Sequence, residues 1–281
     1  MKNYTLVSIL LVFSLVSISV YDMFIKRKIV IHAEKPVYIL GYGSLISKNV
    51  RDNDLTLIGR PYFNVLIKNY GRKWNYKCDH SVNFPYYTAL GVVPEEGGYF
   101  NAVMFMVADK GEPIDIAKID QRETHYRRDE VQSINISCEN YEEEFTFKAN
   151  KRKCSEELKN SEFYIYVVKK EMRNHHPSAE FPLLQTYIDL SINGFVNNKK
   201  QAIDFIRTTK GWNNFYFNDR EGNTVESLKS VVPLYTKIDN IMNEAFENSN
   251  NDKNAVNFNW SIIKNNKRSF WRTVKKPKSP W

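Results

Sequence analysis

Cysteine is scarce in this chain: three residues in 281, Cys78, Cys138 and Cys154, with no CxxC spacing. That excludes a disulfide-dense scaffold, and an odd count fits a reducing compartment better than a disulfide framework. Glycine and proline are also sparse, at 11 and 10, which excludes collagen-like and linker-dominated chains. There are five histidines, and their one adjacent pair, His175-His176, stands beside Pro177 with no cysteine or carboxylate at metal spacing. It reads as loop surface, and no metal site is expected. Apolar residues are not lacking. With 42% hydrophobic and 26% charged residues, the chain is not intrinsically disordered, and it is long enough to bury a sizeable core.

Long apolar runs are limited to one, at residues 6–21 (LVSILLVFSLVSISVY), followed after Asp22 by Met23, Phe24, Ile25 and the cluster Lys26-Arg27-Lys28. A membrane span needs about 20 apolar residues and a signal-peptide core fewer. The run predicts a single-pass anchor, with secretion after signal cleavage as the alternative and a buried core helix as the bland one. Ser17-Ile18-Ser19 is a poor cleavage site. Positive charge is heavier after the run, which favours a cytoplasmic body by a thin margin, so orientation stays open.

The net charge of +8 and pI near 9.1 invite a nucleic-acid reading, but the charge sits at the ends. Residues 1–28 carry +3 and residues 264–281 carry +7, leaving the body at −2. In the tail, Phe270, Trp271 and Trp281 interleave with the cations. A solvated tail is the commonest outcome for such a segment; a membrane contact through residues 6–25 and the tail is the functional reading, and nucleic acid is disfavoured. Residues 247–259 are Asn-rich and read as a linker.

The body begins with short runs of strand formers at 36–42, 55–58, 62–68, 89–93 and 100–107, separated by Gly and Pro. A helix is expected over 112–123, where Ile116, Ile119, Asp120 and Glu123 fall at i, i+3, i+4 and i+7 and share one face. That face takes two carboxylates toward the core; Arg127, four residues past Glu123, is its candidate partner. Strands are expected again at 127–137, 143–147 and 162–169, and helices at 179–195, 201–207 and 238–246. The first strand closes on Tyr42-Gly43-Ser44-Leu45, where glycine lets the backbone turn and present N–H groups to an anion. A plain tight turn is the commoner meaning of such a signal.

Taken together, the Gly41-Tyr42-Gly43-Ser44-Leu45-Ile46 loop and the helix end Ile119-Asp120-Gln121-Arg122-Glu123, followed by Tyr126-Arg127, resemble the γ-glutamylcyclotransferase-like family. Gly91-Val92-Val93-Pro94 and Asn101-Ala102-Val103-Met104-Phe105 look like its central strands. The resemblance implies an α+β fold: a small mixed β-barrel with flanking helices, here with an N-terminal hydrophobic helix and a C-terminal helical extension. It divides the chain into an anchor or signal segment at 1–28, the family domain with helical extension at 36–235, and a helix with a basic Asn/Lys-rich tail at 236–281. It implies cyclisation of a small γ-glutamyl compound to 5-oxoproline with release of an amine or amino acid, without metal or organic cofactor. Carried over, Glu123 is the general acid/base and Tyr42, Gly43, Ser44 and Leu45 hold the substrate. A tyrosine on a later strand lines the pocket, Tyr166 or else Tyr164. Many members have Asn where this chain has Leu45, and the substrate stays open. A non-catalytic binding or stress-related module on the same fold is the rival reading.

The residue chemistry is consistent with that implication. Cyclisation needs a proton taken from the substrate's α-ammonium and one given to the departing amine, which one carboxylate can do in turn. A glutamate with a pKa of about 4.3 is a weak base near neutrality, and burial on an apolar helix face raises that value.

Overall fold

The computed structural model describes residues 32–247, apart from 56, 79–85, 115, 139–143, 214 and 221–230. Its centre is β1, Val37–Gly41, in which all five residues are buried. An apolar run without alternation has no face to give to water, and β1 accordingly lies inside the sheet. It pairs antiparallel with β3, Tyr87–Ala108, and parallel with β6, Glu162–Val168. β2, Tyr62–Cys78, pairs along most of its length with β3. β4, Tyr126–Glu130, borders β6, while β5, Ile136–Cys138, and β8, Thr209–Lys210, both border β2.

The result is one mixed seven-stranded sheet of order β4-β6-β1-β3-β2-β5, with β8 added on β2. The large mixed sheet with flanking helices agrees in outline with the expected α+β fold, and among the described residues no pairing joins β4 to β5. The β2–β3 ladder shifts register between Lys68 and Tyr70 and again between Trp74 and Tyr76. Asn69, at φ 63°, occupies the first irregularity; its amide accepts from the Gly97 N–H and donates to Asn135. Asparagine tolerates that left-handed geometry better than most side chains.

The helices differ from expectation in instructive ways. α1 covers only Ala117–Arg122, and Glu123 caps it, its N–H donating to the Ile119 carbonyl at 2.8 Å. Residues 143–147 were expected as a strand, but α2 runs over Glu144–Asn160. The aromatic start is swept into a helix continued by Ala149, Lys151, Arg152, Glu156, Glu157 and Leu158, with an Arg152–Glu156 ion pair one turn apart. This helix also corrects the cysteine reading. Cys154 on α2 is bonded to Cys138 on β5. Neither cysteine's neighbours advertise the pairing in the sequence; the fold brings the helix over the sheet edge. The bridge spans 16 residues, and loop-closure entropy for that length is about 3 kcal/mol. Reduction is therefore expected to lower the unfolding temperature of the native chain, read by thermal unfolding with and without dithiothreitol; an unchanged midpoint would contradict the stabilising role.

The C-terminal extension packs on the sheet as more than a row of helices. β7, Leu183–Leu184, pairs parallel with β9, Tyr216–Phe217, and α3, Gln185–Asn193, follows β7 directly. Eight of the nine α3 residues are buried, four of them polar or charged. Burial of such groups needs partners, and they have them. Asp189 accepts from Gln185 and from Arg220, the latter at 2.7 Å, and Arg220 also binds Asp239. The Thr186 N–H donates to Asp219 at 2.9 Å. α4, Lys199–Thr208, starts at Asn198, whose side chain accepts from the Gln201 N–H. α5, Tyr235–Glu247, buries Ile238, Ile241, Met242 and Ala245 in the same core.

The membrane assignment is corrected. No helix among the described residues is long and apolar enough to cross a membrane; the longest, α2, is rich in Lys and Glu. The apolar run at 6–21, the Asn-rich stretch at 248–259 and the basic tail at 264–281 lie outside the described residues.

Candidate active site

Where β1 ends, the backbone turns at once into a 3-10 turn, Ser44–Ile46. The Ile46 N–H donates to the Gly43 carbonyl at 3.0 Å and the Ser47 N–H to the Ser44 carbonyl at 3.1 Å. The N–H groups of Ser44 and Leu45 have no acceptor among the described residues. Two adjacent N–H groups on one tight turn can receive an anion. The turn is crowded from two sides. A Cβ on Gly43 would lie 3.2 Å from the Tyr187 hydroxyl, and one on Gly194, just past α3, would lie 2.4 Å from the Ile46 carbonyl oxygen. Gly194 has no room for a side chain, and one at Gly43 would press on the Tyr187 hydroxyl, so α3 is seated directly on the turn.

Glu123 comes from the other end of the site. Its side chain keeps 15% of its surface, and burial pushes its carboxyl above the ordinary range while the Arg122 guanidinium pulls it back. Three tyrosines, Tyr42, Tyr126 and Tyr187, are near enough that the Glu123 charge disfavours their ionisation, on top of the larger effect of burial. All three therefore stay protonated as hydrogen-bond donors. Tyr42 donates to the Tyr166 carbonyl at 2.7 Å and Tyr126 to the Leu90 carbonyl at 2.9 Å. Behind them stand Tyr76, 4.7 Å from Tyr126 between ring centroids, and Trp74, 5.9 Å from Tyr187.

Arg122 joins the two halves. Its Nη2 donates to Ser44 Oγ at 2.9 Å and its Nε lies 3.5 Å from Glu123 Oε1. The turn, 78 residues before Arg122 in sequence, and the Glu123 carboxylate thus share one guanidinium. Asp120, expected on the same helix face as Glu123, goes elsewhere. It accepts from Arg128 at 2.7 Å and from the Tyr166 hydroxyl at 2.7 Å. Arg127 pairs with Asp129 rather than Glu123.

The structure therefore brings Tyr42, Gly43, Ser44, Leu45 and Glu123 together. Leu45 is buried and offers the site its backbone. Tyr166 touches the site through its carbonyl, with its hydroxyl on Asp120; Tyr164 donates to Glu162. Arg122 and Tyr126 lie inside the sequence motif but carried no role there. Tyr187 lies on α3 with no local signal, and only the packing of α3 on the turn reveals it. Among the described residues, no three His, Cys, Asp or Glu side chains gather where they would hold a metal ion.

No family model matches the sequence, and no curated protein matches it. The fold is similar to solved structures of γ-glutamyl cyclotransferases. One γ-glutamyl cyclotransferase is 11% identical over 71% of this chain and 99% of its own, with a TM-score of 0.46. An uncharacterised human protein gives the same identity and coverage at 0.47. A yeast γ-glutamyl cyclotransferase specific to glutathione is 11% identical over 73% of this chain and 97% of its own, at 0.37. The likeness is one of fold.

Proposed function

We propose that this chain cyclises a γ-glutamyl compound to 5-oxoproline and releases an amine or amino acid. The observation that carries the reading is Arg122, which ties the anion-receiving turn at Ser44 to the buried carboxylate of Glu123. A γ-glutamyl substrate has the matching features: an α-carboxylate for the Ser44 and Leu45 N–H groups, and an α-ammonium a short distance away for Glu123. Glu123 takes a proton from that ammonium. The freed amine attacks the γ-carbonyl carbon, closing a five-membered ring through a tetrahedral intermediate. The bond from that carbon to the departing nitrogen then breaks as the proton held on Glu123 passes to the leaving amine, and the ring nitrogen gives its second proton to the emptied carboxylate, which hands it to the released amine and is ionised again. Proton transfer by a placed side chain contributes about 10²–10⁴-fold to such reactions. Tyr42 and Tyr126 spend their O–H groups on backbone carbonyls, which leaves the Tyr187 hydroxyl, kept protonated by burial, as the donor for the developing oxyanion.

The direct test is incubation of the purified chain with a panel of γ-glutamyl peptides and γ-glutamyl amines, reading 5-oxoproline by mass spectrometry. Release from at least one is expected; ligand binding with turnover of none would leave a binding module instead. Arg122 gives a second, signed prediction. Its charge favours ionised Glu123, so Arg122→Gln is expected to move the acid limb of the rate profile to higher pH. A limb that stays in place or moves down would show that Arg122 does not act on Glu123.

A further inference from the structure

A charged cleft lies beside the same turn, joined to it through Arg51. It encloses about 200 Å³ and is lined by Lys48, Arg51, Asp52, Arg60, Tyr62 and Phe105, with Leu57 and Gly59. At about 30 Å³ per water, that is space for roughly six or seven water molecules, the size of a small metabolite. At its floor is Arg51, only 4% exposed, in a one-turn π-helix, Val50–Asp54. Such turns are rare and cluster at functional sites.

Arg51 is an unusual buried cation. Nη1 donates to the carbonyls of Leu45, at 3.0 Å, and Ile46, at 2.5 Å. Its guanidinium carbon lies 5.0 Å from the Tyr62 ring centre and 5.6 Å from that of Phe105. No carboxylate bonds to it among the described residues: Asp52 is taken by Lys48, and Glu112 by Arg60 at 2.7 Å. Burial pushes its pKa down to about 10, and the nearby Asp52 charge offsets this only in part. Nε and Nη2 make no hydrogen bond among the described residues. Those two groups form one parallel-donor edge of a guanidinium, the edge that fits two oxygens of a carboxylate or phosphate.

We propose that this cleft binds a small anion of the carboxylate or phosphate class, held two-pronged by Nε and Nη2 of Arg51, with Lys48 and Arg60 at its rim. The Tyr62 and Phe105 rings limit the occupant to one with a compact or apolar body. Because Nη1 of the same guanidinium holds the Leu45 and Ile46 carbonyls, the anion would also steady the turn that presents N–H groups to the candidate active site. That coupling rests on the proposed reaction; the binding does not.

Calorimetric titration of the full chain with inorganic phosphate and, separately, with succinate tests the site and distinguishes the two anion classes. Saturable binding of at least one is expected. Arg51→Lys keeps the charge but removes the fork, and is expected to weaken binding at least about tenfold. Lys48→Glu reverses the charge at an exposed rim position and is expected to do the same. No saturation up to about 10 mM with folded wild-type protein, or unchanged affinity in Arg51→Lys, would overturn the proposal. If Arg51→Lys does not fold, unchanged affinity in Lys48→Glu overturns it. Glu123→Gln is expected to bind the anion as the wild type does, so a failure of the proposed reaction and a failure of this site remain distinguishable.

Discussion

Replacing Glu123 with Gln is expected to cut 5-oxoproline release by about 10²–10⁴-fold while leaving the fold intact. The amide fills the same space and carries no proton-accepting oxygen pair, so both proton transfers are lost at once. Stability is expected to hold or rise. The carboxylate sits where burial disfavours its charge, and a neutral amide escapes that cost. The measurement pairs a product assay with thermal unfolding. A rate within about threefold of the wild type, a difference worth well under 1 kcal/mol of barrier, would remove Glu123 from the chemistry. A lost rate with a lost fold would point to a structural residue instead.

Arg72→Met is expected to have the largest effect on stability. Arg72 lies on β2, fully buried, where the helical extension meets the sheet. Its Nε donates to Thr209 Oγ1 at 2.8 Å, its Nη1 to the Asn101 carbonyl at 2.7 Å, and its Nη2 to the Phe205 carbonyl at 2.8 Å. The Phe205 ring lies 3.8 Å from the guanidinium carbon. Methionine matches the length of the stem but leaves these acceptors buried without donors. Removing one partner from a buried charged network costs about 3–5 kcal/mol. For a domain of this size that is a fall of roughly 6–20 °C in the unfolding midpoint. A shift of less than about 3 °C would mean that water replaces the guanidinium and that the extension is held by apolar packing alone.

These two residues mark how far the sequence could be read. The turn after β1 and the Glu123 helix end were legible because each is a local pattern: an apolar run stopped by glycine, and apolar and acidic residues on one helix face. The central strands were legible for the same reason. What failed was non-local. The 143–147 segment has strand-forming aromatics, but the helix-favouring residues after it decide its state. Cys138 and Cys154 are not spaced like a motif, and only the seating of α2 on β5 makes them a pair. Asp120 and Glu123 looked equivalent on their helix. Arg128 and Tyr166 bind Asp120, while Glu123 lies close enough to Tyr42, Tyr126 and Tyr187 for its charge to act on all three. Arg72 carries no signal at all, since a lone arginine on a strand usually faces solvent.

The central claim is that Glu123, held above its ordinary pKa by burial, is the base that starts cyclisation. The pH dependence of 5-oxoproline release at limiting substrate tests it most directly, because it reports the ionisation of the free enzyme. The base works only when ionised, so the rate must fall as pH drops through the Glu123 pKa. The account predicts an acid limb whose midpoint lies clearly above the ordinary glutamate value of 4.5. A rate that stays flat down to that value, or a limb at or below it, would contradict the account.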